Sequence, residues 1–73
     1  FKTSRQVLAG FLYERFNQED GPLCITESFI SSSIAVSRSV IAKYLKEMEE
    51  SGIIKHERGF IELLDSEALM RSL

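Results

Sequence analysis

The residues with most to offer chemically are cations gathered in two short runs. Between Ser37 and Lys46 stand Arg38, Lys43 and Lys46 with no acid among them, and Ile53 to Phe60 carries Lys55 and Arg58 against Glu57. The stretch between them, Glu47 to Gly52, holds Glu47, Glu49 and Glu50 and no base. Such runs suit an anionic partner: a guanidinium offers a planar fork of donors, and an ammonium offers a compact point charge. Little else in the chain is reactive. There is one histidine (His56), one cysteine (Cys24) and no tryptophan. A lone cysteine builds neither an internal disulfide nor a multi-cysteine metal site. No glycine pattern of the kind that cradles nucleotide phosphates occurs, and Ser31-Ser32-Ser33 has no neighbouring base to make a nucleophile of any serine. The expectation is a binding domain rather than an enzyme, with no cofactor or metal of its own.

The chain has 73 residues, 44% apolar and 27% charged. That length accommodates one domain, 1–73, whose composition is that of an ordinary globular protein. No apolar run approaches the roughly 18 residues of a membrane span, so no membrane partner is expected. The lone thiol fits a reducing cytoplasm. Phe1 stands where a methionine would begin a whole protein, and Phe1 to Leu12 lacks the continuous apolar core of a signal peptide. The expectation is a fragment of a longer chain with other domains upstream. The formal charge of −2 argues against a nucleic-acid partner when taken as a total. The clustering of the cations argues the other way, toward weak and salt-sensitive binding of a polyanion.

The elements that must position these cations are legible from periodicity and caps. Thr3 to Gln6 reads as a capping box, and Val7, Leu8, Phe11, Leu12 and Phe16 recur as one face of a helix that ends before Gly21-Pro22. Leu23-Cys24-Ile25 is a short extended stretch, with Cys24 expected to be buried as a small apolar residue. Thr26 is an N-cap for a short second helix, with Phe29 and Ile30 facing inward, that ends near Ser33. Ser37 caps a longer helix reaching about Ser51, with Val40, Ile41, Tyr44, Leu45 and Met48 on one face. Arg38, Ser39, Ala42, Lys43 and Lys46 occupy its other face, and Gly52 sits where a left-handed residue stops the helix. Residues 53–56 and 60–64 form a hairpin about Glu57-Arg58-Gly59. Asp65 caps a last helix carrying Ala68, Leu69 and Leu73.

The fold class is mainly α with a small β hairpin, and the order of elements matches a winged helix-turn-helix. Two crossing helices need a small residue at their contact and another in the turn, with an apolar plug beneath the second helix. Ser31, Ala35 and Ile41 hold that spacing.

Ile25-Thr26, Ile30, Ser37-Arg38, Ile41, Lys43, Leu45-Lys46, Met48-Glu49 and Gly52-Ile53-Ile54 resemble the DNA-binding domain of the Crp–Fnr family of bacterial transcription regulators. The likeness runs without gaps from Ile25 to about Ile54, and Ile61 to Leu69 is similar to that family's closing strand and helix. The resemblance implies that the long helix enters the major groove of double-stranded DNA. There Arg38 would read guanine, whose two acceptors fit its fork, with Ser39 and Lys43 as secondary base readers. That family often has glutamate where this chain has Ser39, arginine where it has Lys43, and arginine where it has Glu27. Thr26 and Ser37, at helix N-termini, would meet phosphate, as would Lys46, and the hairpin would add Lys55, His56 and Arg58, with His56 exposed on the wing. The resemblance also implies a homodimer in the full-length protein on half-sites about one helical turn apart. It implies an upstream β-roll domain for an unidentified effector, and it admits RNA polymerase as a further partner.

Blander readings stand beside these. Arg38, Lys43 and Lys46 would form only a solvated helix face, and Lys46 would pair with Glu49 or Glu50 at helical spacing. Two other functions remain open: a winged helix of another regulator family such as the GntR-like proteins, or a winged helix used for protein–protein contact.

Overall fold

The computed structural model describes Lys2 to Leu73; Phe1 lies outside the described residues. Helix α1 covers Ser4–Gln18, α2 Glu27–Ile34, α3 Arg38–Glu50 and α4 Ser66–Arg71, with strands β1 Ile54–Glu57 and β2 Phe60–Leu63 between α3 and α4. This is the winged helix-turn-helix order that the sequence predicts.

Each helix begins at the residue chosen by its local chemistry. Thr3 accepts the Gln6 amide at 3.2 Å while its own amide donates to Gln6 Oε1 at 2.9 Å, which completes the capping box. Thr26, Ser37 and Asp65 cap α2, α3 and α4 in turn by accepting from Phe29, Val40 and Ala68. The C-terminus of α3 closes as a Schellman motif. The Gly52 amide donates to the Glu49 carbonyl and the Ile53 amide to the Met48 carbonyl, with Gly52 at φ +77°. The chain thus leaves the helix at a fixed angle and goes straight into β1.

The hairpin pairs Ile54 with Leu63 and Glu57 with Phe60. Its turn is therefore Arg58-Gly59 alone, one residue tighter than expected, with Gly59 at φ +71°. Leu23 bridges Ile61 on the outer edge of β2 through two backbone hydrogen bonds, at 2.8 and 2.9 Å. The base of the hairpin is closed by the Ile53 carbonyl, which accepts from the Leu64 and Asp65 amides.

All of these elements bury one apolar cluster. Leu8, Ala9 and Leu12 of α1, Leu23, Ile30 of α2, Ile41, Leu45 and Met48 of α3, Ile53, Ile54, Ile61 and Leu69 lose nearly all contact with solvent. The described residues bury no polar or charged side chain. The core is held by hydrophobic burial, worth about 1.5–3 kcal/mol for each large side chain fully removed from water.

Four expectations about side-chain placement are corrected. Cys24 is exposed: Leu23 takes the inward position at the bridge to Ile61, and strand alternation turns the next residue outward. Phe29 is 44% exposed; Ile30 alone fills the contact beneath α2, and Phe29 instead lies against the Arg15 guanidinium, 5.1 Å from its ring centre. Leu73 is 40% exposed because it lies beyond the end of α4 at Arg71. Lys46 forms no ion pair with Glu49 or Glu50 among the described residues. Glu49 accepts from the backbone amide of His56 instead.

The turn between α2 and α3 carries the clearest strain. Ala35 adopts the left-handed conformation at φ 56° and ψ 42°, which costs an L-residue roughly 1–2 kcal/mol. Replacing Ala35→Gly removes that cost at a smaller entropic penalty in the unfolded chain. The variant should be more stable in urea unfolding by about 0.5–1 kcal/mol; a loss of stability would contradict the strained-turn assignment.

Candidate nucleic-acid interface

The interface is built on α3. Its buried stripe of Ile41, Leu45 and Met48 fixes the rotation of the helix, and a rotation of about 100° per residue puts Ser39, Lys43 and Lys46 on the opposite, exposed side. Tyr44 and Val40, also assigned to the inner face, are half-buried flanks. Lys43 Nζ rests 5.5 Å from the Tyr44 ring centre, so the ammonium is held close to the helix surface.

The position of α3 relative to α2 depends on the turn. The Ser31 hydroxyl donates to the Val36 carbonyl at 2.6 Å, and the Ala35 amide donates to the Ser31 carbonyl at 2.9 Å. These bonds tie both sides of the turn to one residue of α2. Ile41, fully buried, then plugs the crossing from below. The three positions singled out by spacing therefore have three separate tasks: closing the turn, taking the left-handed conformation, and filling the core.

Arg38, the first residue of α3, does not share the outer stripe with Lys43 and Lys46. It lines a groove of about 510 Å³ together with Thr26, Glu27 and Ser28 of the α2 N-terminus, His56 of β1, and Arg58 and Gly59 of the hairpin turn. The structure thus brings Arg38, Thr26, His56 and Arg58 into one concavity. Lys43 and Lys46 extend from it along the helix surface. Ser37 is exposed at the α3 N-terminus, its hydroxyl 3.4 Å from that of Ser39.

The hairpin cations are not equivalent. Alternation along β1 turns Ile54 and His56 toward the body of the domain and Lys55 and Glu57 away from it. Lys55 Nζ lies 3.8 Å from a Glu57 carboxylate oxygen on that outer face, and both side chains are more than half exposed. Exposed pairs of this sort contribute little to stability, about 0–1 kcal/mol, but they lower the charge that Lys55 presents. Arg58, at the tip, makes no ion pair among the described residues.

His56 departs from the expected exposed wing position. Its side chain is only 22% exposed, and Nε2 stands 3.9 Å from Glu27 Oε2 across the groove. Glu27 stands at the start of α2, where the resembling family often has arginine, and its contact with His56 was not expected. The contact comes from the inward phase of β1, and a register of one residue in the hairpin decides it. No local signal in the sequence carries that information.

A cation-rich α3 set against a two-stranded wing, with a shared groove between them, defines a winged helix-turn-helix domain of the nucleic-acid-binding class. The sequence pattern of the Crp-like helix-turn-helix domain matches residues 6–72. Among solved structures, the chain is similar to a crystal structure from Eubacterium rectale ATCC 33656, assigned to the crp/fnr family of transcriptional regulators. Identity is 32% and the TM-score is 0.89, over 96% of this chain and 33% of that one. No curated protein matches the chain. The chain belongs to the Crp-like helix-turn-helix family, and it spans about a third of the length of the solved relative.

Proposed function

We propose that this chain is the DNA-reading domain of a Crp–Fnr-like transcription regulator and binds by laying α3 in the major groove. Arg38 is the principal base reader, through the two acceptors of a guanine edge, and Ser39 and Lys43 are the secondary ones. Thr26 and Ser37 at their helix N-termini, Lys46 on the outer face of α3, and Arg58 at the wing tip contact phosphate. Lys55 contributes less because it shares its charge with Glu57.

The observation that carries this reading is the exposed, acid-free run of α3. Arg38, Ser39, Lys43 and Lys46 are all exposed, and no acid stands among them until Glu47. Among the described residues, no packed element covers these side chains. A face for protein contact would be expected to carry a buried-type apolar centre with aromatic anchors and few charges; this one is cationic and polar.

The family supports wider proposals for the whole protein. The relative's greater length leaves room for an upstream effector-sensing domain and a dimerisation helix, so the working unit is a homodimer on a two-fold symmetric operator in the bacterial cytoplasm. Contact with RNA polymerase belongs to the same proposal. Catalysis has no part in it.

Two substitutions test the assignment on duplexes selected from a random pool. Arg38→Ala should cost about 1–3 kcal/mol on the selected site and relax one base position. Equal weakening on selected and random duplexes would demote Arg38 to a phosphate contact. Arg58→Ala should weaken every sequence alike and lower the salt slope by about 1. A loss restricted to the selected site would contradict the wing assignment.

A further inference from the structure

The start of α2 presents a contradiction within the proposed interface. A helix N-terminus offers unpaired amides and the positive end of the dipole, where an anion is favoured. Glu27, the first residue of α2, puts a carboxylate at that point, in the groove that also holds Arg38 and Arg58. Against DNA phosphate it is repulsive. His56 Nε2 faces this carboxylate at 3.9 Å, and His56 is the one histidine of the chain.

We propose that Glu27 and His56 form a proton-linked pair that sets the strength of DNA binding. The inference rests on the DNA-binding reading above. With His56 neutral, Glu27 stands in the groove without an ion-pair partner among the described residues and weakens the phosphate contact at the α2 N-terminus. With His56 protonated, the two side chains form an ion pair, and the groove gains one unit of positive charge. The surroundings of His56 are defined on each side. Glu27 faces it from α2, and Arg38 lines the same groove from α3. Glu49, also on α3, accepts the His56 backbone amide at 3.2 Å and sets a second carboxylate close by. Arg58 stands at the hairpin turn. Across the sheet His56 pairs with Ile61, which carries no charge, while Lys55 and Glu57 on the outward face of β1 pair with each other.

The sign follows from linkage. DNA is an anion and favours the protonated groove, so bound DNA promotes proton uptake and a bound proton promotes DNA binding by the same factor. Affinity therefore rises as His56 takes up its proton, that is, as pH falls.

The test is fluorescence anisotropy of this chain with a mixed-sequence duplex at fixed low ionic strength, at about pH 6 and about pH 7.5. The unsubstituted chain should bind roughly two- to fivefold more tightly at the lower pH, the factor expected of one partly exposed charge pair. His56→Gln should bind with one affinity at both pH values. Glu27→Gln should bind more tightly than the unsubstituted chain at the higher pH. Salt-sensitive binding of equal strength at both pH values would overturn the pair's role, as would a pH dependence that survives His56→Gln. Absence of binding at both pH values would contradict the DNA reading itself, and this inference with it.

Discussion

The geometry of the domain depends on how α2 hands the chain to α3. Ala35 accepts a left-handed backbone, and the Ser31 hydroxyl closes the turn onto the Val36 carbonyl at 2.6 Å. An alanine tolerates that conformation only where its surroundings determine it more strongly than its own preference does. Here the determining force is the apolar seam in which Ile30 meets Ile41, Leu45 and Met48. The burial of those side chains outweighs the strain of one residue several times over. The angle between the helices follows from that seam, and so does the direction in which Arg38 points.

The wing inherits its position from the same helix. Because the Gly52 Schellman closure joins α3 directly to β1, the hairpin has no free linker about which to swing. Ile53 is held twice, its amide by Met48 and its carbonyl by Leu64 and Asp65. Helix α3 and the hairpin are therefore one rigid unit with a groove between them. Such preorganisation lowers the ordering cost of binding an extended partner. Helix α1 is tied to α3 and to α2 in turn. Arg5 approaches Glu47 at 3.8 Å, and Arg15 sits between the Phe11 and Phe29 rings, at 5.4 and 5.1 Å from their centres.

What was legible in the sequence is what local chemistry determines. The Thr3–Gln6 box, the caps at Thr26, Ser37 and Asp65, and the glycine stop at Gly52 each involve residues within a few positions of one another, and each stands as read. The Ser31, Ala35 and Ile41 spacing was legible because a helix-turn-helix places the same three demands at fixed offsets. The misreadings share a different origin. Cys24 and His56 were assigned by residue type, yet strand phase decides which way each points, and that phase is fixed by pairing with distant residues: Leu23 with Ile61, and β1 with β2. Phe29 was placed inside because it is large and apolar. A two-turn helix has room for one deep contact, which Ile30 occupies, and Arg15 of α1 shields part of the ring instead. The gathering of Thr26, Arg38 and Arg58 about one groove could be anticipated from the order of elements, whereas the Glu27–His56 contact depends on tertiary register alone.

A net charge of −2 and the proposed DNA-binding face coexist because no acid is interleaved with the cations of α3 between Arg38 and Lys46. Glu14, Glu19, Asp20, Glu62 and Glu67 lie outside α3, Glu47, Glu49 and Glu50 follow its last cation, and Glu27 alone shares the groove of Arg38. The distribution, rather than the total, decides what such a domain attracts. The most direct test of this account is a backbone NMR titration of the chain with a mixed-sequence duplex, at low and then moderate salt. The expected shifts are confined to Thr26 and Glu27, Ser37 to Lys46 and the wing from Lys55 to Gly59, fading as salt rises. Shifts centred on α1 and α4, or none at low salt, would contradict it.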